Sequence, residues 1–327
     1  MINYSWLQQK LHQIALSSQF MRETTFDVES SLISTKEIDD NHVFVVGLAR
    51  SGTTVLLNSI YNSNEFSSLS YQDMPFVLAP NLWSRLSFHK QNPNLIERAH
   101  GDGIKVSIES PEAFEEVFWM TFDEYDKSIK EKFHNYIRLI NLKYGKKRYL
   151  SKNNQNIRRL ELISTTFPNS KVIVLFRNPI QQAYSLLTQH KKFIESTKNY
   201  RFISDYMRWI GHTEFGPNYI PIQNKNLTFK DYMNINHWLE QWFLTYKNCY
   251  EKLKDTANIY FICYEELCSS KDCWLDIAHL INISNEIDFK FKESQKQIVN
   301  QFDCGISEKG LSLYSELRLF SFSKLKI

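Results

Sequence analysis

Apolar residues recur at helical spacing at the start of the chain, where Trp6, Leu7, Leu11, Ile14 and Ala15 predict one amphipathic helix over the first twenty residues, a lid on the core. The pattern then changes. His42 to Val46 is a short apolar run ending at Gly47, and after a Gly/Ser/Thr turn helical spacing resumes with Val55, Leu56, Ser59 and Ile60. Lys171 to Phe176 repeats this strand, loop, helix arrangement. That run ends at Arg177, and Pro179, suited to a first helical turn, opens a helix carrying Ala183, Leu186 and Leu187. Asn258 to Cys263 leads into Tyr264 and a helical stretch through Trp274, Ile277, Ala278 and Ile281. Arg148 to Leu150 is a candidate fourth strand, followed by a helix from Ile157 to Thr166. Strands alternating with helices predict an α/β fold, a P-loop-like parallel sheet with helices on both faces. Residues 75–145 and 195–250 carry long helical patterns without strand signals, including an apolar helix from Pro111 to Phe122, and are expected to be helical insertions. With residues 1–40 as N-terminal helix and lead-in, the reading is a single domain over 1–327.

Composition narrows the function classes. The 327 residues are 43% apolar and 23% charged with a formal net charge of +3, a globular balance. No basic run exceeds Lys146, Lys147 and Arg148, so no nucleic-acid partner is indicated, while an anionic small molecule fits. Five cysteines without a C-x-x-C pair signal neither a zinc ribbon nor a disulfide scaffold. The start of the chain lacks a signal-peptide pattern and no membrane-length apolar stretch occurs, so a cytoplasmic protein without a transmembrane segment is expected. Oligomeric state is not legible.

The chemistry begins at Gly47-Leu48-Ala49-Arg50-Ser51-Gly52-Thr53-Thr54, which has the G-x-x-x-x-G spacing of a phosphate-cradling loop between a strand and a helix. Where nucleotide triphosphatases keep the lysine that reaches the β/γ phosphates, this chain has Thr53, and its cation is Arg50, three residues earlier. A triphosphate is therefore disfavoured. Arg50 can reach a bond that breaks, and the Thr53 and Thr54 hydroxyls can donate to phosphate oxygens.

The string Leu48 to Leu56 resembles the 5′-phosphosulfate loop of the sulfotransferases that use 3′-phosphoadenosine 5′-phosphosulfate. Val172-Ile173-Val174-Leu175-Phe176-Arg177-Asn178-Pro179, with Ser185 eight positions after the arginine, resembles that family's 3′-phosphate motif. Tyr149-Leu150-Ser151-Lys152-Asn153 and Ile262-Cys263-Tyr264-Glu265-Glu266-Leu267 are similar to further elements of its tyrosylprotein sulfotransferase-like branch and bacterial relatives. The resemblance implies a nucleotide site of Arg50, Ser51, Gly52, Thr53, Thr54, Arg177, Ser185 and Tyr264, with Lys152 and Arg50 stabilising the transition state. Gln189 stands where the branch has a second arginine, and Gln72-Asp73 where it has adjacent acids.

The implied reaction moves a sulfuryl group in line from the nucleotide to a hydroxyl or amine, with a general base and no metal. Asp73 is the candidate base; its structural alternative is to cap a helix ahead of Phe76, Val77 and Leu78, with Pro75 in the first turn. His42, His100 and His190 are competing bases. Gly101-Asp102-Gly103 is a plain turn or a substrate-side loop. The acceptor class, whether saccharide, peptide tyrosine, lipid or small metabolite, is not encoded in these motifs. The alternatives are a P-loop nucleotide kinase or nucleotidase, and a catalytically silent nucleotide-binding protein.

Overall fold

Strands form where the sequence places uninterrupted apolar runs. The computed structural model describes residues 5–32, 40–87, 96–97, 105–106, 109–198, 201–225, 227–283, 291, 298 and 302–325. Its strands are β1 (Val43–Val46), β2 (Phe66–Ser67), β3 (Ile96–Glu97), β4 (Lys105–Val106), β5 (Arg148–Lys152), β6 (Lys171–Phe176) and β7 (Ile259–Cys263). Five of them build one sheet in the order β2-β5-β1-β6-β7, every pair parallel. Successive side chains alternate faces. Val43 and Val45 join one core with Ile173, Leu175 and Ile262, and Phe44 and Val46 join the other with Val172, Val174 and Phe176. Burial on both faces is why the strands read as continuous apolar runs.

The helices are α1 (Trp6–Ser17), α2 (Gln19–Ser31), α3 (Thr53–Tyr61), α4 (Pro80–Leu86), α5 (Glu116–Trp119), α6 (Ile129–Tyr144), α7 (Leu160–Thr166), α8 (Pro179–Thr197), α9 (Arg201–Trp209), α10 (Ile235–Leu253), α11 (Tyr264–Ser269), α12 (Lys271–Leu280) and α13 (Cys304–Leu325). Leu56, Leu57 and Ile60 of α3 and Trp274 and Ile277 of α12 cover one face. Ile137 and Ile140 of α6, Leu186 of α8, Trp242 of α10 and Leu317 of α13 cover the other. Among the described residues no helix is long and apolar enough to cross a membrane.

Three local expectations are corrected. The first helix stops at Ser17, because Ser18 is extended and its side chain accepts from Met21 N, starting α2. The face it buries is His12, Ala15 and Leu16, with the His12 ring against Tyr206 of α9, while Trp6 and Leu7 are each 71% exposed. Residues 75–145 are not free of strands, since β3 and β4 pair antiparallel with Ile96 opposite Val106. The apolar stretch from Pro111 to Phe122 supplies only the single turn α5, its large side chains being taken up by an aromatic cluster with α2 and α6.

Candidate active site

In an open parallel sheet the ligand crevice lies beyond the carboxyl ends of the strands, where neighbouring connections diverge. Here β1 is flanked by β5 and β6, and the register sets Val45 opposite Lys152 and Val46 opposite Val174. Lys152 therefore ends its strand beside the loop that follows β1. Arg177 comes one residue after β6 and Tyr264 one residue after β7. Arg50, Gly52, Thr53, Thr54, Lys152, Arg177 and Tyr264 all line one cavity of about 280 Å³.

The loop's conformation is set by sequence. Arg50 is left-handed (φ 70°), and Gly52, at φ 100°, is the N-cap of α3 with no side chain capping it. No side chain caps the start of that helix, whose first residues Thr53 and Thr54 line the cavity, the arrangement that attracts an anion. The Tyr264 ring lies directly on Gly52, where a Cβ would stand 2.2 Å from its Cδ2. Gly52→Ala is expected to cost about 1–2 kcal/mol in backbone strain alone and to push Tyr264 off the loop; a lower melting temperature checks this, and an unchanged one would refute the packing argument.

Two of the expected nucleotide contacts stand differently from their motif. Ser51 is fully buried behind the loop. Ser185 does not line the cavity; its hydroxyl accepts from Arg50 Nε at 3.1 Å, so it meets Arg50 instead of clamping with Arg177. The Arg177 guanidinium lies 5.6 Å from the Tyr264 ring centroid, with Nε 3.8 Å from Glu265 Oε1. Glu265 also receives Asn178 N and the Tyr314 hydroxyl, each at 3.0 Å, and so ties the β6 and β7 ends to α13.

Residues carrying no motif hold the site together. Tyr246 of α10 donates to Leu175 O at 2.8 Å and accepts from Leu48 N at 3.1 Å, bridging the ends of β1 and β6. Gln182 of α8 donates to the carbonyls of Leu48 and Ala49, and Trp242 donates to Arg177 O and Gln182 Oε1. Each sits in a helical pattern indistinguishable from ordinary core. Thr53 donates to Asn154 Oδ1 at 3.3 Å, which joins the loop to the end of β5.

Asp73, the expected base, does not line the cavity. It is 0% exposed. One carboxylate oxygen receives Ser70 N at 2.7 Å and the Tyr144 hydroxyl at 2.6 Å, and the other pairs with Lys143 of α6. It closes the turn Ser70–Asp73 behind it and caps no helix ahead of Phe76, since α4 begins only at Pro80. His42 is also fully buried, accepting from Tyr149 N at 3.1 Å. His190 accepts from Gly216 N at 3.0 Å, and burial lowers its pKa to about 4, so it is a neutral acceptor within the fold. His100 and Gly101-Asp102-Gly103 lie outside the described residues.

The far wall of the cavity comes from the segments around α5 and after α9 and carries Glu112, Glu116, His212 and Glu214. Glu116 receives both terminal nitrogens of Arg159, at 2.8 and 2.9 Å, and Asn153 Nδ2 at 2.8 Å; burial nevertheless raises its pKa. Glu112 receives the Tyr71 hydroxyl at 2.8 Å and Ala113 N at 2.9 Å. His212 Nε2 stands 3.6 Å from Glu214 Oε2. Burial lowers the His212 pKa, with Lys152 adding to the effect and Glu214 and Glu112 opposing it.

A family model described as "Sulfotransferase family" matches residues 42–214. An uncharacterized protein of Aquifex aeolicus (strain VF5) is 31% identical over 219 residues, 64% of this chain and 24% of that protein. The chain thus spans about a quarter of the length of this curated relative. Among solved structures, a sulfotransferase from Mycobacterium tuberculosis H37Rv aligns with a TM-score of 0.48 at 13% identity, covering 97% of this chain and 86% of that one. One from Alicyclobacillus acidocaldarius aligns with a TM-score of 0.42 at 12% identity, covering 88% and 96% respectively.

Proposed function

Because the chain belongs to the sulfotransferase family, matched over residues 42–214, we propose that it transfers a sulfuryl group from 3′-phosphoadenosine 5′-phosphosulfate to a hydroxyl or amine acceptor. The match is to the family as a whole, not to the tyrosylprotein branch its motifs resemble. The observation that carries the reading is the convergence of Arg50, Lys152, Arg177 and Tyr264, from the ends of four adjacent parallel strands, on one cavity at the uncapped start of α3.

The residues present suit such a nucleotide. The first turn of α3 and Arg50 would hold the 5′-phosphate, Arg177 the 3′-phosphate, and Tyr264 an edge of the purine side. When bound, the cosubstrate supplies a sulfuryl group on a phosphate that leaves readily. Lys152, 9% exposed at the end of β5, and Arg50 provide positive charge in a water-poor site, where it stabilises developing negative charge best. A kinase reading is weaker: Thr53 occupies the lysine position, and its hydroxyl is directed to Asn154.

The test is calorimetric titration with 3′-phosphoadenosine 5′-phosphate and with AMP. The first should bind much more tightly. Arg177→Ala should weaken it by about 2–3 kcal/mol, the scale of a lost charge-assisted pair, while barely changing AMP. Equal affinities for the two nucleotides in the wild type would refute the reading.

A further inference from the structure

We propose that His212 and Glu214 together take the proton from the acceptor's hydroxyl, and that the acceptor is an alcohol or phenol with an apolar body and no cluster of anionic groups. This rests on the sulfuryl-transfer reading above and assigns the half of the site that the motifs leave blank.

The loop after α9 is fixed at both ends. A Cβ on Gly211 would stand 2.5 Å from Glu116 Cγ, and one on Gly216 would stand 2.6 Å from Phe193 Cδ1, both at positive φ, so the backbone is seated on α5 and on α8. His190 of α8 receives Gly216 N, Met207 O receives His212 N at 2.9 Å, and Thr213 accepts Gln155 Nε2 at 2.8 Å on its hydroxyl and Ile220 N at 3.0 Å on its carbonyl. The His212 ring stacks on Phe193 and meets the edge of Phe215. A loop tied this firmly holds its side chains in place before the acceptor arrives, which is what proton transfer in a transition state requires.

Of the cavity's carboxylates, Glu116 is engaged by Arg159 and Asn153, and Glu112 by Tyr71 and Ala113 N. Glu214 differs. Its Oε2 is buried and, among the described residues, receives no hydrogen bond, with His212 Nε2 beside it at 3.6 Å. A buried acceptor left without a donor is destabilising, and an acceptor O–H entering the cavity supplies the donor. The groups facing His212 are Lys152 from β5, Glu112 ahead of α5 and Glu214 on its own loop; burial and Lys152 lower its pKa against the two carboxylates, which favours the neutral, accepting imidazole.

The reaction then balances without further reagents. The hydroxyl proton passes to the His212–Glu214 pair as the acceptor oxygen forms its bond to sulfur. The bond between sulfur and the nucleotide's bridging oxygen breaks, its electron pair staying on the phosphate beside Arg50. Phe114, Tyr206, Met207, Ile210 and Phe215 form the apolar part of this wall. With Glu112 and Glu214 on this wall, a sulfated or uronate-rich glycan would meet like charge.

The experiment uses full-length protein, labelled 3′-phosphoadenosine 5′-phosphosulfate, and three acceptors: phenol, 4-nitrophenol and a heparin-derived oligosaccharide. Glu214→Gln, and His212→Gln as a second variant, should lower kcat for phenol roughly 10²-fold with little change in KM or in 3′-phosphoadenosine 5′-phosphate affinity. The loss should shrink markedly with 4-nitrophenol, which ionises near neutral pH and needs no base, whereas a merely structural defect would affect both phenols equally. Equal losses, no loss, no transfer to either phenol, or transfer to the oligosaccharide alone overturns the proposal. Failure of the wild type to bind 3′-phosphoadenosine 5′-phosphate at all takes down the underlying reading as well, and so marks which of the two has failed.

Discussion

Asp73→Ala should lower the free energy of unfolding by about 3–5 kcal/mol, the cost of removing one partner from a buried ion pair, while each molecule that remains folded turns over at the wild-type rate. The carboxylate is 0% exposed and the side chain of its partner Lys143 only 10%. Its loss strands that ammonium and Ser70 N together, while the Tyr144 hydroxyl keeps Ser70 Oγ and Gln72 Nε2 as partners. Asp73→Asn should cost less, because an amide oxygen still accepts from Ser70 N, yet it leaves Lys143 without an anion. A urea denaturation curve paired with a rate per active site checks this, the active sites being counted by nucleotide binding. A catalytic Asp73 would give the opposite pattern, with stability close to normal and turnover reduced by roughly 10²-fold. That result would return the base to the position the sequence suggests.

Lys152→Ala should reduce the rate of sulfuryl transfer by about 10²–10³-fold, the range found when one preorganised stabilising group is removed from a transition state. Nucleotide affinity should change far less. The lysine is carried to the cavity by the pairing of β5 with β1, which sets it opposite Val45 just below the phosphate loop. Its charge also helps to keep the His212 imidazole unprotonated. Arg50→Ala, by contrast, should lower both rate and nucleotide affinity, since that guanidinium lies in the loop itself and is steadied by Ser185. Single-turnover measurement with bound donor separates chemistry from binding. A Lys152→Ala enzyme within tenfold of the wild type would remove Lys152 from the catalytic group.

The hydrophobic runs and glycine spacing were enough to predict the parallel sheet, its strands β1, β5, β6 and β7, and the cavity-lining residues of the phosphate loop, because these are local properties. A strand buried on both faces must be continuously apolar, and a strand-to-helix turn that opens N–H groups to an anion needs residues such as Gly52 at that spot. Lys152, Arg177 and Tyr264 were singled out because their strings resemble sulfotransferase motifs, and in the structure each falls at or one residue past a strand end. What an acid does was not legible. Asp73 looks available in the sequence, and only the return of α6, some seventy residues later, buries it under Lys143 and Tyr144. The same holds for the helix boundary at Ser18, the strands β3 and β4, and the meeting of Ser185 with Arg50. His212 and Glu214 carry no motif, and Tyr246, Gln182 and Trp242 read as ordinary core, since burial and partnership depend on which distant segments pack together. The chain's periodicity determined which elements form, and the glycine spacing where the phosphate-type loop lies among them, whereas the far wall of the cavity was decided by long-range packing that no local pattern encodes.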